Sequence, residues 1–193
     1  MSTASTSMKQ SRSITAILGV ALVILIIVAL LLPPISLPQK LSAAGMDTIA
    51  AATDSDVSDP DGTRVAFPAY GVPDSFKAKL ASLPREQFLN GQGNEDAVAA
   101  ANALASLPLQ PRSPFYQIET KGGEPTASII TMEIPNDSLP YETLDLYEWT
   151  GNEWRFLPNH EVMDAASGRE LIVSELDGAS MHRAPNAFMV MQT

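Results

Sequence analysis

The hydrophobic residues of this chain begin with one uninterrupted apolar run, residues 14–32, which contains no charged side chain. At about 1.5 Å per residue, a helix of this length spans roughly 28 Å, close to the hydrocarbon thickness of a bilayer. Pro33 and Pro34 follow at once, where a helix that leaves the lipid can end. The run predicts a transmembrane helix over 14–32, preceded by a short tail over 1–13.

Further along the chain, the spacing of apolar residues predicts one strand and two helices. Residues 63–70 alternate apolar with small or polar side chains, which is the strand pattern. Residues 74–83 place apolar side chains at helical spacing and predict a short helix. Residues 94–107 predict a second helix, with Asn94 as its N-cap and acidic side chains in its first turn.

From Phe115 onward the apolar residues alternate in short runs that Gly, Pro, Asn and Asp separate. With the first strand, these runs give about seven short strands, which is typical of an antiparallel β-sandwich. The predicted fold class is therefore mainly β: a single N-terminal transmembrane helix, then an antiparallel β-sandwich with one or two short helices inserted near 74–107. The later strands are predicted at 115–120, 126–134, 143–149, 154–158, 169–177 and 186–192.

The stretch "LYEWTGNEWRFLP", residues 146–158, predicts a hairpin that contains the only two tryptophans of the chain. If Trp149 faces Trp154 across a four-residue loop, Glu148 faces Arg155, and this pair of unlike charges supports the register. Side chains alternate between the faces of a strand, so one face of the hairpin carries four aromatic rings. These are Tyr147, Trp149, Trp154 and Phe156.

The aromatic face of this hairpin has two interpretations. The rings can fill the inner face of the sandwich, where aromatic cross-strand pairs stabilise a sheet. Alternatively, they can form an exposed platform on which a polysaccharide stacks. The core interpretation is favoured, because large exposed apolar patches are uncommon and these four residues are a third of the twelve aromatic residues.

The charge distribution predicts the orientation of the anchor. All 22 acidic residues follow residue 46, whereas Lys9 and Arg12 precede the apolar run. Basic residues beside a span favour the cytoplasmic side, so the tail is predicted inside the cell and the remainder outside. The acidic remainder has no basic cluster, which argues against a nucleic-acid partner. The chain has no cysteine, which excludes disulfides and thiolate metal sites.

Residues 33–62 are predicted to be a linker, because prolines are followed by small and acidic residues with little apolar surface. The folded domain is then predicted at 63–193. A cleaved signal peptide is the alternative to the anchor, since Ser42 and Ala44 have the spacing of a cleavage site. The uncleaved anchor is favoured because the apolar run exceeds the usual length of a secretory signal.

The sequence contains few residues in patterns that indicate chemistry. The two histidines, His160 and His182, are interpreted as solvated loop residues. A run of aspartates before Gly62 suggests calcium ligands, but its spacing does not match that of a calcium loop. A solvated acidic linker is favoured, and no catalytic residue or cofactor is predicted. The weak calcium candidates are Asp54, Asp56, Asp59 and Asp61.

The block "IPNDSLPYETLDLYEWTGNEWRFLPN", followed by "ELIVSELDGAS" and "AFMVMQ", resembles a bacterial surface β-sandwich of the ZU5-like kind. With the anchor in front, the chain is similar to the membrane-proximal part of large bacterial envelope proteins, some of which carry a glycoside hydrolase or peptidoglycan-binding region. The expected function is a membrane-anchored extracytoplasmic structural or interaction module without catalysis. A module that binds cell-wall or extracellular polysaccharide is the alternative. The expected partners are the lipid bilayer through 14–32 and cell-wall glycans or another envelope protein.

Overall fold

The computed structural model describes residues 45–135, 143–165, 167–176 and 187–193. The chain divides into two compact units, Met1–Ala44 and Gly45–Thr193, and every described residue belongs to the second. No helix within the described ranges is long and apolar enough to cross a membrane. The predicted tail 1–13, the transmembrane helix 14–32, the cleavage site near Ala44 and His182 lie outside the described residues.

The described part of the chain is mainly β, as predicted, with twelve strands in two antiparallel sheets and few helical residues. In chain order the strands are β1 (Asp47–Ile49), β2 (Ser55–Ser58), β3 (Arg64–Phe67), β4 (Phe76–Leu83), β5 (Gln110–Pro111), β6 (Phe115–Lys121), β7 (Ser128–Glu133), β8 (Leu144–Trp149), β9 (Trp154–Leu157), β10 (His160–Met163), β11 (Glu170–Leu176) and β12 (Ala187–Gln192). The helices are a 3-10 turn (Ala69–Gly71), α1 (Arg85–Leu89) and α2 (Glu95–Leu104).

The two sheets have different sizes and different edges. The first has the order β1-β4-β6-β12-β8-β9, with β5 also pairing with β12. The second has the order β10-β11-β7-β3-β2. Strands β9 and β10 each end a sheet, and they are consecutive along the chain, so the path leaves the edge of the first sheet and enters the edge of the second within two residues.

The main hydrophobic core draws its side chains from both sheets. Tyr116 and Phe188 of the first sheet stack at 5.2 Å between ring centroids, and Ile130 and Phe67 of the second belong to the same cluster. A second cluster lies between the other face of the first sheet and the two helices. Strand β12 contributes to both clusters, and all six of its residues are buried.

The predicted linker 33–62 is wrong over its described part. Strand β1 pairs with β4, and β2 pairs with β3. Their apolar residues, Ile49 and Val57, are buried in the main core. A segment with too little apolar surface to fold alone can still add to an existing sheet, because the sheet supplies the hydrogen bonds and most of the buried area. The folded unit therefore begins near Gly45 and not at Thr63.

The predicted helix over 74–83 is also wrong, since this segment forms strand β4. Phe76, Ala78 and Leu80 alternate along it and are buried, while Lys77 and Lys79 lie between them. The same apolar residues match a helical spacing and a strand spacing, and pairing with β6 along seven residues decides for the strand. A short helix, α1, follows Pro84 instead.

The second predicted helix is confirmed, and so is its cap. Helix α2 begins after Asn94, whose side-chain oxygen accepts a hydrogen bond of 2.9 Å from the backbone N–H of Ala97. Its buried face consists of Ala97, Ala100 and Leu104. Small side chains on this face bring the helix close to the sheet beneath it.

The predicted strand 63–70 and the six later strands are confirmed within the described residues, at the bounds of β3, β6, β7, β8, β9, β11 and β12. The total of about seven is too small. The alternating pattern does not mark β1, β2, β5 or β10, which are two to four residues long and lie at edges or beside the end of another strand.

Candidate functional site

The hairpin β8–β9 has the register that its charges predict. Trp149 faces Trp154, Glu148 faces Arg155, Tyr147 faces Phe156 and Leu146 faces Leu157. The loop Thr150–Glu153 closes through a hydrogen bond of 3.0 Å from the N–H of Thr150 to the carbonyl of Glu153. Gly151 has a φ of +98°, which favours glycine at this point of the loop.

A cross-strand ion pair on one face of the hairpin holds its two strands in register. Arg155 donates to the carboxylate of Glu148. Glu148 is buried, whereas the arginine side chain is 54% exposed. A buried carboxylate needs its partner more than an exposed guanidinium does, because only the carboxylate has lost its water. The pair therefore opposes a shift of the register, because such a shift would separate the two charges.

The two faces of the hairpin pack against different parts of the protein. Leu146 and Leu157 belong to the main core. Trp149 belongs to the second cluster, and Tyr147 and Trp154 pack against that cluster. The expectation that the four rings fill the space between the sheets is wrong, because the aliphatic face of the hairpin takes that position. The aromatic face is covered at its loop end by the helices.

Trp154 is held by rings and by one hydrogen bond. Phe88 of α1 and Phe115 of β6 stack at 4.8 Å between centroids. The indole of Trp154 meets both edge-on, at 6.3 Å and 6.0 Å. Its Nε1 donates a hydrogen bond of 2.9 Å to the carbonyl of Ala100 in α2. Edge-to-face rings stabilise beyond the area that they bury, so Trp154 links both helices to the edge of the first sheet.

Trp149 is the more deeply buried of the two tryptophans, and it lies 5.6 Å from Trp154 between centroids. Its indole Nε1 has no hydrogen-bond partner among the described residues. Trp149 is buried and offers no open face for stacking on a sugar, whereas Trp154 is half-buried and packs against the second cluster.

Tyr147 and Phe156 are the part of the aromatic face that the helices leave uncovered. Phe156 is 49% exposed, and Tyr147 is half-buried. Their centroids lie 6.1 Å apart with the ring planes at 79°, so they meet edge to face. Burial raises the pKa of the Tyr147 phenol, and the neighbouring Asp145 adds to this effect. Two rings at right angles present one exposed ring and not a flat platform.

Three of the four aspartates that suggested calcium accept hydrogen bonds from backbone N–H groups, and two of them lie in a turn. Asp59 begins the β2–β3 hairpin turn, since its N–H donates to the carbonyl of Thr63 (2.8 Å) and its own carbonyl accepts from Gly62 (3.0 Å). The carboxylate of Asp61 accepts from the N–H of Thr63 at 2.9 Å, and that of Asp54 accepts from the N–H of Ala69 at 2.7 Å. Within the described ranges, no group of three or more acidic, histidine or cysteine residues could hold a metal ion. The fourth candidate, Asp56, is exposed on β2.

Asp61 has a further partner across the two sheets. The phenol of Tyr116, on β6 of the first sheet, donates to the Asp61 carboxylate, beside β3 of the second sheet. Burial raises the pKa of Tyr116 strongly, and the hydrogen bond to Asp61 raises it further. The phenol therefore stays protonated and keeps its hydrogen bond at pH values at which a tyrosine in water ionises.

The sheet edges formed by β9 and β10 carry half of the large apolar side chains that are exposed in the described residues. Six large apolar side chains are exposed in the described part of the chain, and three of them lie on these two strands. The three are Phe156, Val162 (38%) and Met163 (57%). All four residues of β10 are exposed.

Strand β10 was not predicted from the sequence, where His160 was interpreted as a loop residue. His160 is instead the first residue of β10 and is exposed. A four-residue strand with a single β-branched side chain gives no alternating pattern to detect. The one available signal was the short spacing between "WRFLP" and "RELIVSELD", which leaves room for a strand between them.

The opposite edges of the sheets differ in character. They are formed by β1 and β2, where Asp47, Asp54 and Asp56 are exposed or half-exposed. Charged side chains on an edge strand oppose pairing with another chain. The domain thus has one acidic side and, at β9 and β10, one side with exposed apolar residues.

Comparison with known proteins identifies no family for this chain. No protein-family model matches the chain, and no curated protein matches it. The ZU5-like resemblance therefore stays a prediction, and so does the assignment of Tyr147, Trp149, Trp154 and Phe156 as ligand-binding residues.

Proposed function

We propose that this protein is a membrane-anchored, extracytoplasmic structural and interaction module that has no catalysis of its own. The anchor is the apolar run 14–32, and the domain that it carries begins near Gly45. We propose further that the two sheets form a β-sandwich, of the ZU5-like kind that the sequence resembles, and that the module acts at the bacterial envelope as a spacer or a docking domain.

The observation that carries the interaction role is the exposed apolar surface on β9 and β10. Phe156, Val162 and Met163 lie on two edge strands that are consecutive along the chain, and an edge strand has backbone groups that a further strand can pair with. Apolar side chains next to unpaired backbone groups are the chemistry by which a sheet recruits another protein.

The membrane anchor is supported by the sequence. Lys9 and Arg12 precede the apolar run, and the remainder of the chain from residue 41 carries 9 basic and 22 acidic residues, a net charge of 9 − 22 = −13. This asymmetry favours a cytoplasmic tail and an external domain.

Protease treatment of intact cells that express the full chain tests this proposal. The domain should remain with the membrane fraction after alkaline extraction, and protease added outside the cells should remove it. Recovery of the full chain in the soluble cytosolic fraction would contradict the anchor. A domain that survives external protease but disappears after the cells are lysed would contradict the orientation.

A polysaccharide-binding module is the second candidate function, and the observation that favours it is the exposure of Phe156 beside Tyr147. Such a site would use these two rings, because Trp149 is buried and Trp154 packs against both helices. Binding of the full chain to insoluble cell-wall polysaccharide tests it. Phe156→Ala should abolish that binding, whereas Tyr70→Ala, a change at another exposed ring (79%), should leave it intact. Equal binding by wild type and both variants would exclude the site.

A further inference from the structure

One edge of strand β10 pairs with no strand of the described residues, and the hydrogen-bond pattern of β10 determines which of its residues face that edge. In the described ranges β10 pairs only with β11. Directly after β10, the N–H of Asp164 donates to the carbonyl of Arg169 at 2.8 Å, which makes these two residues a hydrogen-bonded pair. Hydrogen-bonded and non-bonded pairs alternate along an antiparallel ladder. Val162 therefore bonds toward β11, and Glu161 and Met163 direct their N–H and C=O groups outward.

The side chain of Val162 lies in an apolar strip that reaches this edge. Val162 is directly opposite Leu171 on β11, and His160 is opposite Val173. Leu171 and Val173 are half-buried. Val162 is thus covered on the side of β11 and open on the other side, where a further strand would bury it.

The alternation restricts how a second β10 could pair antiparallel with the first. Only registers in which outward-directed groups meet each other are allowed, so the two-fold axis must pass through a residue and not between two residues. The axis can then pass through Glu161, Val162 or Met163. These three registers differ in which side chains they place opposite each other.

Charge selects one of the three registers. An axis through Glu161 places two glutamates directly opposite each other, which is destabilising. An axis through Met163 places Val162 opposite an aspartate, Asp164 of the partner subunit. An axis through Val162 places Val162 opposite Val162 of the partner subunit, and His160 opposite Asp164 of the partner subunit. Apolar then meets apolar, and no two like charges lie directly opposite each other.

The Val162 register also satisfies the outward-directed backbone groups. Glu161 falls opposite Met163 of the partner subunit, and both residues direct their N–H and C=O groups to this edge. The two strands can therefore exchange hydrogen bonds at two such pairs, one on each side of the axis. Isologous contacts of this kind, in which one patch meets its own copy, are the commonest basis of dimers.

From this geometry we infer that β10 is a self-association edge, at which two copies of the chain pair antiparallel about Val162 and join their five-stranded second sheets into one sheet. This inference deepens the proposed interaction role by naming a second copy as the partner. The other edge of the same sheet differs, because β2 has no large exposed apolar side chain, carries the exposed Asp56 and is flanked by Asp54 and Asp59. On the neighbouring edge strand, β9 is followed by Pro158, which has no N–H to donate.

Single cysteines test the pairing, because the chain has none of its own. Val162 directs its backbone groups to β11, so it forms a non-bonded pair with Val162 of the partner subunit. The Cα atoms of such a pair lie about 4.5 Å apart, within the range that a disulfide spans. The full chain with Val162→Cys should form a disulfide-linked dimer on mild oxidation. Leu107→Cys is the matched control, because Leu107 is 40% exposed and Val162 38%. We expect about tenfold more dimer for Val162→Cys. Equal amounts from the two variants would overturn the inference.

A second cysteine tests the register separately. Glu161→Cys lies opposite Met163 of the partner subunit in the Val162 register, so it should cross-link much less than Val162→Cys. More dimer from Glu161→Cys than from Val162→Cys would overturn the Val162 register. A cross-linked product whose mass is not twice that of the chain would show that another protein occupies the edge, and would overturn the assignment of a second copy.

The mass of the full chain in mild detergent gives a measurement that does not depend on oxidation. Wild type should be dimeric and Val162→Lys monomeric, because the substitution places two like charges at the axis. Leu107→Lys should stay dimeric. A monomeric wild type, or equal masses for the two lysine variants, would overturn the inference. Cross-linking and mass can both be measured in lysate wherever the protein resides, so their failure is distinct from a failure of the proposed location.

Discussion

Trp154 contacts α1, α2 and β6 as well as Trp149 on the neighbouring strand β8, so the packing of both helices depends on it. Its ring meets Phe88 and Phe115, and its Nε1 bonds to Ala100. Phe156, two residues along the same strand and on the same face, is half exposed. The two residues are therefore a matched pair for separating structure from surface.

We expect Trp154→Ala to lower the free energy of unfolding by about 3 kcal/mol, because it leaves a cavity beneath both helices. Phe156→Ala should lower it by less than about 1 kcal/mol, since an exposed site leaves no cavity. Urea unfolding of the full chain in mild detergent, followed by the fluorescence of Trp149, measures both. A stable Trp154→Ala variant, or equal losses for the two changes, would contradict the packing described for this face.

Tyr116 makes the stability of the protein depend on pH above about 10. Its raised pKa in the folded state means that the unfolded chain loses the phenolic proton first. The stabilisation is therefore complete below the unfolded pKa and decreases as the pH rises above it. Each such group contributes a slope of up to about 1.4 kcal/mol per pH unit.

We expect Tyr116→Phe to cost about 1 kcal/mol at pH 7, through the lost hydrogen bond to Asp61, and to reduce the loss of stability between about pH 10 and 11. Urea midpoints measured from pH 8 to 11 test both parts. Tyr70→Phe is the control, because it removes an exposed phenol (79%) and keeps the Tyr116–Asp61 contact. Parallel pH curves for wild type and Tyr116→Phe would contradict this account.

At the scale of elements, the pairing of neighbouring strands could be predicted from the sequence. Which part of the protein packs on each face of a hairpin could not. The register of β8 and β9 follows from Glu148 and Arg155, because unlike charges and the loop length leave one good alignment. Alternation assigns side chains to two faces without saying which of them meets the second sheet. The core face proved to carry Leu146 and Leu157 because α1 and α2 already cover the aromatic face.

The residues of the β2–β3 turn are typical of a turn, although their aspartates first suggested calcium ligands. The sequence Asp59-Pro60-Asp61-Gly62 has the residues that a type I turn prefers at each position, with glycine at its end. Gly62 has a φ of +96°, which matches a hairpin loop of this kind. Carboxylates in such a turn serve the backbone, so a count of acidic residues without the turn rules overstates the case for a metal site.

Helix α2 depends on its N-cap, and we expect Asn94→Ala to cost about 1 kcal/mol. The side chain of Asn94 accepts from the N–H of Ala97 and also donates to Gln117 on β6, at 3.1 Å. Asn102→Ala is the control, because Asn102 is exposed within the helix and alanine favours a helix there. Thermal unfolding of the full chain measures both changes. A loss for Asn102→Ala equal to that for Asn94→Ala would contradict the capping role.

At the scale of the whole molecule, the boundary of the folded unit is the feature that composition concealed. Residues 45–62 are rich in alanine, serine and aspartate, yet β1 and β2 complete one edge of each sheet. Ile49 and Val57 are the buried residues of these strands. Two apolar side chains in a polar segment are enough when the rest of the sheet is already in place.

We expect a chain that begins at Gly45 to fold, and one that begins at Thr63 to be unstable. The shorter chain loses both buried side chains, each worth about 1.5–3 kcal/mol, and exposes the backbone edges of β3 and β4. Urea unfolding followed by circular dichroism distinguishes the two chains. Equal midpoints would mean that β1 and β2 add nothing to the fold, and would restore the linker interpretation.

The position of strand β12 in the first sheet has a consequence for folding during synthesis. It follows all the other described strands in sequence, yet it lies between β6 and β8 and belongs to both hydrophobic clusters. Until the ribosome has released residues 187–192, β6 and β8 cannot be joined, and each presents an unpaired edge. The nascent chain therefore passes through a stage that is open to aggregation, and a chaperone that binds extended segments would protect it during that interval.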